Sequence, residues 1–377
     1  MAICYVSLSE FAAMKANGIQ TIAMCNAFAE REKTFLFFFD DDGSNAGALS
    51  KNFRLHGNLN LVPVRRKRFP FKPRFFNLIH LTLSAIRVGE PIRFLFTREV
   101  FIAWFLTFMG RPFFLEHHLN LREPWHRHLL RWISGSRNLR AHVPISSSMV
   151  KTLGLEKCDP DKILILHDGV DLSLFDASRK KAIARIDLQL PPDRFIAGYC
   201  GQLYADKGAY FILELAAALP DVLFLLVGGQ VPDLAPMKAA VLEKGLANVL
   251  LTGRVDHARV PGYLAACDCF LLPNTTNYYM SPLKLFEYMA ADRPIIASDF
   301  PPFREVIEPG KTGLLARPND RESFLAAIAA LRREPALGGR LALAAREKVE
   351  SEHSWISRVD SILARAQAGQ IDRRNSN

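Results

Sequence analysis

The sequence predicts an α/β protein built on parallel sheets, and three observations predict it. Short, uninterrupted apolar runs recur from Phe195 onward: FIAGYCG, VLFLLVGG, NVLLTGRV, CFLLPN, PIIASD and TGLLARP. Runs that stay apolar at every position, rather than every second one, belong to strands buried on both faces. Amphipathic stretches or turn residues separate these runs, which is the alternation of a sheet covered by crossover helices. Finally, 377 residues are enough for two domains of ordinary size, each with its own core. Ligands of such sheets bind beyond the carboxyl ends of the strands, so chemistry is sought in the loops that follow each run.

The N-terminal half begins with Ile3-Cys4-Tyr5-Val6-Ser7 as a first strand. Asn17-Gly18-Ile19-Gln20 then opens a helix through Glu30, and Thr34 to Phe39 is the next strand. Gly18 either permits close backbone approach at a strand-to-helix opening or serves a simple turn. Phe94 to Glu99 and Pro112 to His118 read as later strand ends. His117 and His118 are adjacent, and a strand points neighbouring side chains to opposite faces, so only one of them can face a site at that end. A structural histidine pair is the alternative. Ser146, Ser147 and Ser148 follow Val143-Pro144-Ile145 and read as capping for a helix from about Met149.

Two C-terminal segments carry chemistry. Gly201-Gln202-Leu203-Tyr204-Ala205-Asp206-Lys207-Gly208 lies at a strand end ahead of a helix that runs to about Leu219. Gly201 lets backbone approach a ligand, and Lys207 offers a flexible point charge suited to a phosphate. The spacing is not that of a Walker loop, and a solvated loop lysine is the alternative. In the second segment, Ser281 is a good N-cap and Pro282 a good first helical residue. The free N–H groups near Ser281 and Leu283 make an anion site at the helix start. Glu287 lies on the packed face with Leu283 and Ala290, where it can accept hydrogen bonds from a sugar diol. A phosphate at one end and a ribose beside the other describe a nucleotide. The alternative is an amphipathic helix with a semi-buried, paired glutamate.

Together with His167-Asp168-Gly169-Val170-Asp171 and Phe175, these segments resemble the family 4 retaining glycosyltransferases, which have the GT-B fold. Further family segments follow in the same order. Cys267-Asp268 to Pro273 matches a strand of the form (A/C)-D-x4-P, and Ser281 to Ala290 matches sP-x-K-x-x-E-x-M-A. Pro294 to Asp299 matches P-I-x-A-S-D, and Arg304-Glu305 to Leu315 matches the last motif. Each motif is weak alone; the ordered set is strong and covers most of the chain.

The resemblance implies two Rossmann-like, doubly wound parallel-sheet domains facing a cleft. Residues 1–175 would form an acceptor-binding domain with the C-terminal helix 353–367 packing back on it. Residues 176–194 would be a linker, 195–352 a nucleotide-sugar donor domain, and 368–377 a flexible tail. By the same resemblance, Lys207 holds the donor diphosphate beside Gly201, and the backbone around Ser281, Pro282 and Leu283 contacts phosphates and sugar. Glu287 binds the ribose, Arg254 falls where the nucleobase meets backbone groups, and Gly18 belongs to a donor loop. His118, with His117 as its rival, is selected to contact the transferring sugar or the acceptor. Two positions depart from the family pattern. Gln202 stands where arginine is usual, which removes one charge from the diphosphate site. Tyr279 stands where the first glutamate of E-x7-E belongs, which bears on sugar recognition and donor activity.

The implied reaction is metal-independent transfer of a sugar, with retention, from a UDP- or GDP-sugar to a glycan or lipid-linked acceptor. His118, Lys207 and Glu287 would be its catalytic residues, no cofactor is expected, and cell-surface polysaccharide or glycolipid synthesis is the implied setting. The alternatives are a non-catalytic sugar-nucleotide-binding protein of the same fold and a sugar-nucleotide epimerase.

Charge indicates a further partner. Residues 1–190 carry 27 Lys and Arg against 17 Asp and Glu, while the remaining residues carry 21 of each, so the net charge of +10 is all N-terminal. Its focus is Arg65-Arg66-Lys67-Arg68, continued through Lys72 and Arg74 and interleaved with Phe69, Phe71, Phe75 and Phe76. Basic residues among aromatics suit an anionic membrane surface, and a solvated basic loop is the alternative. Nucleic acid would recruit the same residues, but no recognisable nucleic-acid module accompanies them. No apolar run reaches the roughly 20 residues of a membrane span. Residues 1 to 20 do not read as an export signal, so a cytoplasmic chain, peripheral on the inner face of the membrane, is expected. The six cysteines are scattered and read as reduced thiols, and no metal cluster stands out.

Overall fold

Each half of the chain resolves into a six-stranded parallel sheet. The computed structural model describes residues 1–13, 16–118, 124–175, 180–276 and 283–375. It divides into two units, Met1–His167 with Trp355–Asn377, and Asp168–Ser354.

The first unit runs β1 (Ala2–Val6), α1 (Ala16–Arg31), β2 (Thr34–Phe39), α2 (Ser44–Asn52), β3 (Leu59–Val64), α3 (Pro73–Ile86), β4 (Ile92–Thr97), α4 (Val100–Leu106), β5 (Phe113–His117), α5 (Pro124–Gly135), β6 (Leu139–Pro144) and α6 (Ser147–Leu153). The second runs α7 (Lys181–Asp187), β7 (Ile196–Cys200), α8 (Ala209–Ala218), β8 (Leu223–Val227), α9 (Val231–Glu243), β9 (Val249–Gly253), α10 (Val260–Ala265), β10 (Cys269–Leu272), α11 (Leu283–Ala290), β11 (Ile295–Ser298), α12 (Pro301–Arg304), β12 (Leu314–Ala316), α13 (Arg321–Arg333) and α14 (Pro335–Glu352). Helix α15 (Trp355–Asn375) belongs to the first unit.

The sheet orders are β3-β2-β1-β4-β5-β6 and β12-β11-β10-β7-β8-β9. Both are the doubly wound 3-2-1-4-5-6 arrangement, so strand order reverses between β1 and β4 in one sheet and between β7 and β10 in the other. Every residue of β1, β5, β7 and β8 is buried, which is why these runs read as continuous. In the first sheet Cys4, Val6, Leu95, Phe113 and Leu115 fill one face. On the other, Phe28 of α1 meets Phe94 and Phe96 edge-on at 5.9 and 5.5 Å, and Phe94 meets Phe114 at 4.9 Å. Each such ring contributes about 1.5–3 kcal/mol by leaving water.

Asp268, just before β10, fastens the second sheet. One of its oxygens accepts from the Ile196 N–H at 2.7 Å and from Arg185 of α7 at 2.6 Å, and the other meets Lys181 at 2.6 Å. The aspartate of the (A/C)-D segment is thus a structural tie for the start of β7. Among the described residues no helix is long and apolar enough to cross a membrane, and all six cysteines are free thiols.

His117 lies inside the first unit. Its Nε2 is 2.9 Å from Nδ1 of His142, whose Nε2 is 2.8 Å from Ser134 Oγ. Ser134 donates its own proton to the Leu130 carbonyl at 2.7 Å. The hydroxyl therefore accepts from His142 Nε2–H, and His142 Nδ1 accepts from His117 Nε2–H, so the chain needs His142 neutral. Burial is the main cause that pushes both pKa values down, His117 well below 6.5 and His142 to about 3, helped by neighbouring cations. An unfolded histidine takes its proton near 6.5, so the folded state is at full advantage above that pH and loses it as pH falls toward 3. Thermal unfolding should show a midpoint that falls from about pH 6.5 downward, and His142→Gln should make that fall shallower. A wild-type midpoint unchanged between about pH 7 and pH 5 contradicts this reading of the pair.

Candidate functional site

Gly201 follows the last residue of β7, and the loop from it to Gly208 crosses the carboxyl end of β10, the neighbour of β7 at the point where strand order reverses. Backbone packing there excludes side chains. Gly201 has φ +142°, and a Cβ on it would come within 2.0 Å of Lys284 Nζ; Gly208 has φ +76°, and its Cβ would come within 1.8 Å of the Pro273 carbonyl oxygen. Gly208 needs glycine for conformation and for space; Gly201 needs it for conformation, and a Cβ there would displace the end of the Lys284 side chain. The loop is pinned by Thr275, which donates its N–H to the Asp206 carbonyl and its hydroxyl to the Ala205 carbonyl, both at 3.1 Å.

Lys207 closes the one-turn helix Ala205–Lys207. Its Nζ is 3.7 Å from Asp206 Oδ2, and its side chain is 26% exposed. Burial lowers its pKa, Asp206 opposes that, and Lys284 adds to it. A desolvated lysine at a sheet switch point is suited to an anion.

Helix α11 buries Leu285, Phe286, Tyr288 and Met289 in the core of the second unit. Tyr288 stacks on Phe270 at 4.3 Å and accepts the Cys200 N–H at 2.6 Å, so the helix is tied to the last residue of β7. The opposite side carries Lys284 and Glu287, three residues apart and both partly buried. Glu287 raises the Lys284 pKa against a larger lowering by burial, which places the two charges in one field. Leu283 opens the helix and is partly buried. Tyr279, Ser281 and Pro282 lie outside the described residues.

The remaining candidates fall elsewhere. Arg254 is exposed just past β9, two strands from β7 and so about 10 Å across the sheet from the Lys207 loop. Gln202 is partly buried, and its carbonyl accepts from Tyr199 OH at 2.6 Å. Gly18 sits inside α1 rather than in a loop, its absent Cβ lying 3.3 Å from the Phe11 ring. In the basic run, Arg65, Lys67 and Arg68 are exposed, whereas Arg66 donates its N–H to Asp41 at 2.8 Å and pairs with that carboxylate at 2.5 Å.

His118 follows β5 and is partly buried, its Nε2 3.1 Å from Glu116 Oε2. Of the two histidines it is the one that does not enter the His142 chain. Glu116 is fully buried between Arg98, at 2.5 Å, and Arg358 of α15. Burial alone would raise the Glu116 pKa; Arg98, His118 and Arg358 outweigh it and hold the carboxyl well below its ordinary range. Arg358 also donates to the carbonyls of Leu166 and His167. The carboxylate thus fixes α15 and His118 at once.

Sequence reasoning missed Lys284, although Glu287 three residues on put it on the same helical face. The Glu116–Arg358 pair joins residues 242 apart, with no local pattern to reveal it.

Residues 194–334 match the family model described as Glycosyl transferases group 1. A D-inositol 3-phosphate glycosyltransferase of Mycobacterium marinum is 28% identical over 222 residues, 56% of this chain and 46% of that protein. The chain spans about half the length of the curated relatives it matches. Among solved structures, sucrose-phosphate synthase from Thermosynechococcus elongatus superposes with a TM-score of 0.74 at 21% identity, covering 99% of this chain and 98% of that one. HepE of Anabaena, solved with UDP and glucose, gives 0.72 at 17% identity over 96% and 99%. The fold is that of the GT-B glycosyltransferases. The Lys207 loop and α11 both lie within the stretch that matches the group 1 glycosyltransferase model.

Replacing Glu116 tests the buried cluster. Glu116→Ala leaves Arg98 and Arg358 buried without their carboxylate and should cost about 3–5 kcal/mol in urea unfolding. A loss below about 1 kcal/mol, the range of an exposed pair, contradicts the assignment.

Proposed function

We propose that the chain transfers a sugar from a nucleotide-sugar donor to a glycan or lipid-linked acceptor. The observation that carries this reading is the strand-end constellation of Gly201, Lys207 and Glu287 inside the stretch that matches the group 1 glycosyltransferase model. HepE, with the same fold, was solved with UDP and glucose, which supports a UDP-type donor. In this reading residues 195–352 hold the donor: Lys207 neutralises the diphosphate, Glu287 accepts from the ribose hydroxyls, and the backbone at Leu283 contributes N–H groups.

Transfer proceeds with retention. The acceptor hydroxyl forms its bond to the anomeric carbon on the face the diphosphate leaves, the bond from that carbon to the phosphate oxygen breaks, and the departing phosphate takes the hydroxyl proton. The electron pair leaves with the diphosphate, whose charge Lys207 stabilises. His118, its Nε2 turned toward Glu116, orients the sugar or acceptor instead of attacking it. No metal or cofactor enters this scheme.

Peripheral contact with an anionic membrane completes the reading. In the same unit, α4, the turn after it and α5 expose Phe101, Phe108, Trp125 and Trp132, with ring contacts of 5.3 Å for Phe101–Trp125 and 6.0 Å for Phe108–Trp132. Arg127 and Arg131 are exposed on the same helix α5. Aromatic rings flanked by arginines fit the headgroup layer.

Titration with UDP, GDP and their glucose conjugates tests the donor assignment. One nucleotide should bind wild type, with binding reduced at least about tenfold by Lys207→Ala and by Glu287→Ala. Binding unaffected by both substitutions contradicts it. Incubation of the bound sugar nucleotide with lipid-linked glycans should release nucleoside diphosphate only when an acceptor is present. Release without acceptor contradicts a transferase and favours a hydrolase, whereas conversion of the sugar with no release favours an epimerase. Co-sedimentation should be stronger with phosphatidylglycerol vesicles than with phosphatidylcholine vesicles and be lost in Trp125→Ala/Trp132→Ala; equal sedimentation with both contradicts the membrane contact.

A further inference from the structure

Lys284 is the charge that the donor scheme leaves unused. Its Nζ lies 3.2 Å from Tyr199 OH and 4.7 Å from the centroid of the Tyr199 ring. Among the described residues no carboxylate comes within 4 Å of it to form an ion pair. Its stem runs through the space left by the missing side chain of Gly201, whose Cβ would fall 2.1 Å from Lys284 Cε. Tyr199 is itself held by its bond to the Gln202 carbonyl. A ring face and a phenol therefore hold the ammonium in place, and neither supplies negative charge.

That arrangement is costly on its own. Lys284 is partly buried, and burial is the main cause that lowers its pKa. Lys207 sits in the same field, since Lys284 also lowers the Lys207 pKa. Two desolvated like charges at one strand end repel, and neither Asp206 nor Glu287 forms a close ion pair with Lys284. A ligand with more than one negative charge removes the repulsion and supplies Lys284 with the close negative charge that the described residues do not give it. Position 202 supplies no charge, because it is glutamine, and its buried Oε1 has no hydrogen-bond partner among the described residues.

We propose that Lys284, entering from α11 through the gap at Gly201, is a second cation of the donor diphosphate site and takes the place of a charge at position 202. This inference rests on the donor-site reading above. It makes Lys284 a binding residue for the second phosphate, with Tyr199 as the group that positions it.

Calorimetric titration with UDP and UMP, or with GDP and GMP if guanine is preferred, tests the assignment on wild type, Lys284→Met, Lys284→Arg and Lys284→Met/Gln202→Arg. Loss of one charge-assisted contact should weaken diphosphate binding by about 10- to 100-fold in Lys284→Met and monophosphate binding by about threefold or less. Lys284→Arg should stay within about threefold of wild type, and Gln202→Arg should restore most of the lost affinity. Lys284→Gln, which keeps a donor without the charge, takes the place of the methionine variant if the latter does not fold. Diphosphate binding by the uncharged variant equal to wild type overturns the role of Lys284 and leaves the donor site standing. Equal losses for monophosphate and diphosphate overturn it as well, since a merely structural lysine would affect both. A wild type that binds no nucleotide removes the donor-site reading itself.

Discussion

The candidate site depends on the backbone coming closer, at the ends of two adjacent strands, than any side chain allows. Gly208 lies against the Pro273 carbonyl, and Gly201 lies against the ammonium of Lys284. Those contacts bring the β7 loop, the end of β10 and the start of α11 to one place, and they set Lys207 and Lys284 at the same strand end. Parallel strands make such a place because all their carboxyl ends lie on one edge, and the reversal of strand order between β7 and β10 opens it. A methyl group at Gly208 would collide with the Pro273 backbone and push the loop off the strand ends, whereas one at Gly201 would displace the end of Lys284.

Charge is managed differently in the two units. In the first, the buried Glu116 is matched by two arginines and approached by His118, so its charges are used up in holding the fold. Asp268 does the same at the start of β7 with Lys181 and Arg185. At the strand end beyond β7, Asp206 accompanies Lys207, whereas among the described residues no carboxylate pairs closely with Lys284. Uncompensated charge in a desolvated place costs folding free energy, so its persistence points to a ligand that supplies the missing charge.

Much of this was legible in the sequence, for physical reasons that differ by element. The strands of the second unit announce themselves because a doubly covered parallel strand must be apolar at every position, as Leu223 to Val227 are. Gly201, Lys207 and Glu287 were singled out because phosphate and diol chemistry call for those residue types at strand and helix ends. Lys284 was passed over since its meaning lies in the absent Cβ of Gly201, 83 positions away in the chain. His117 could not be separated from His118 by alternation alone; the resemblance selected His118, and the structure engages His117 with His142. Gly18 looked like a loop glycine but packs within α1 against Phe11, a contact between segments that periodicity does not report. The basic run looked uniformly free, yet Arg66 is matched by Asp41 across the sheet edge.

A crystal structure of the wild-type chain with the nucleoside diphosphate that binds it is the most direct measurement. The expected result is a diphosphate with oxygens about 3 Å from the Nζ atoms of both Lys207 and Lys284, and ribose hydroxyls on Glu287. A nucleotide bound away from the ends of β7 and β10, or with its phosphates turned from both lysines, would contradict the assignment of this strand end as the donor site.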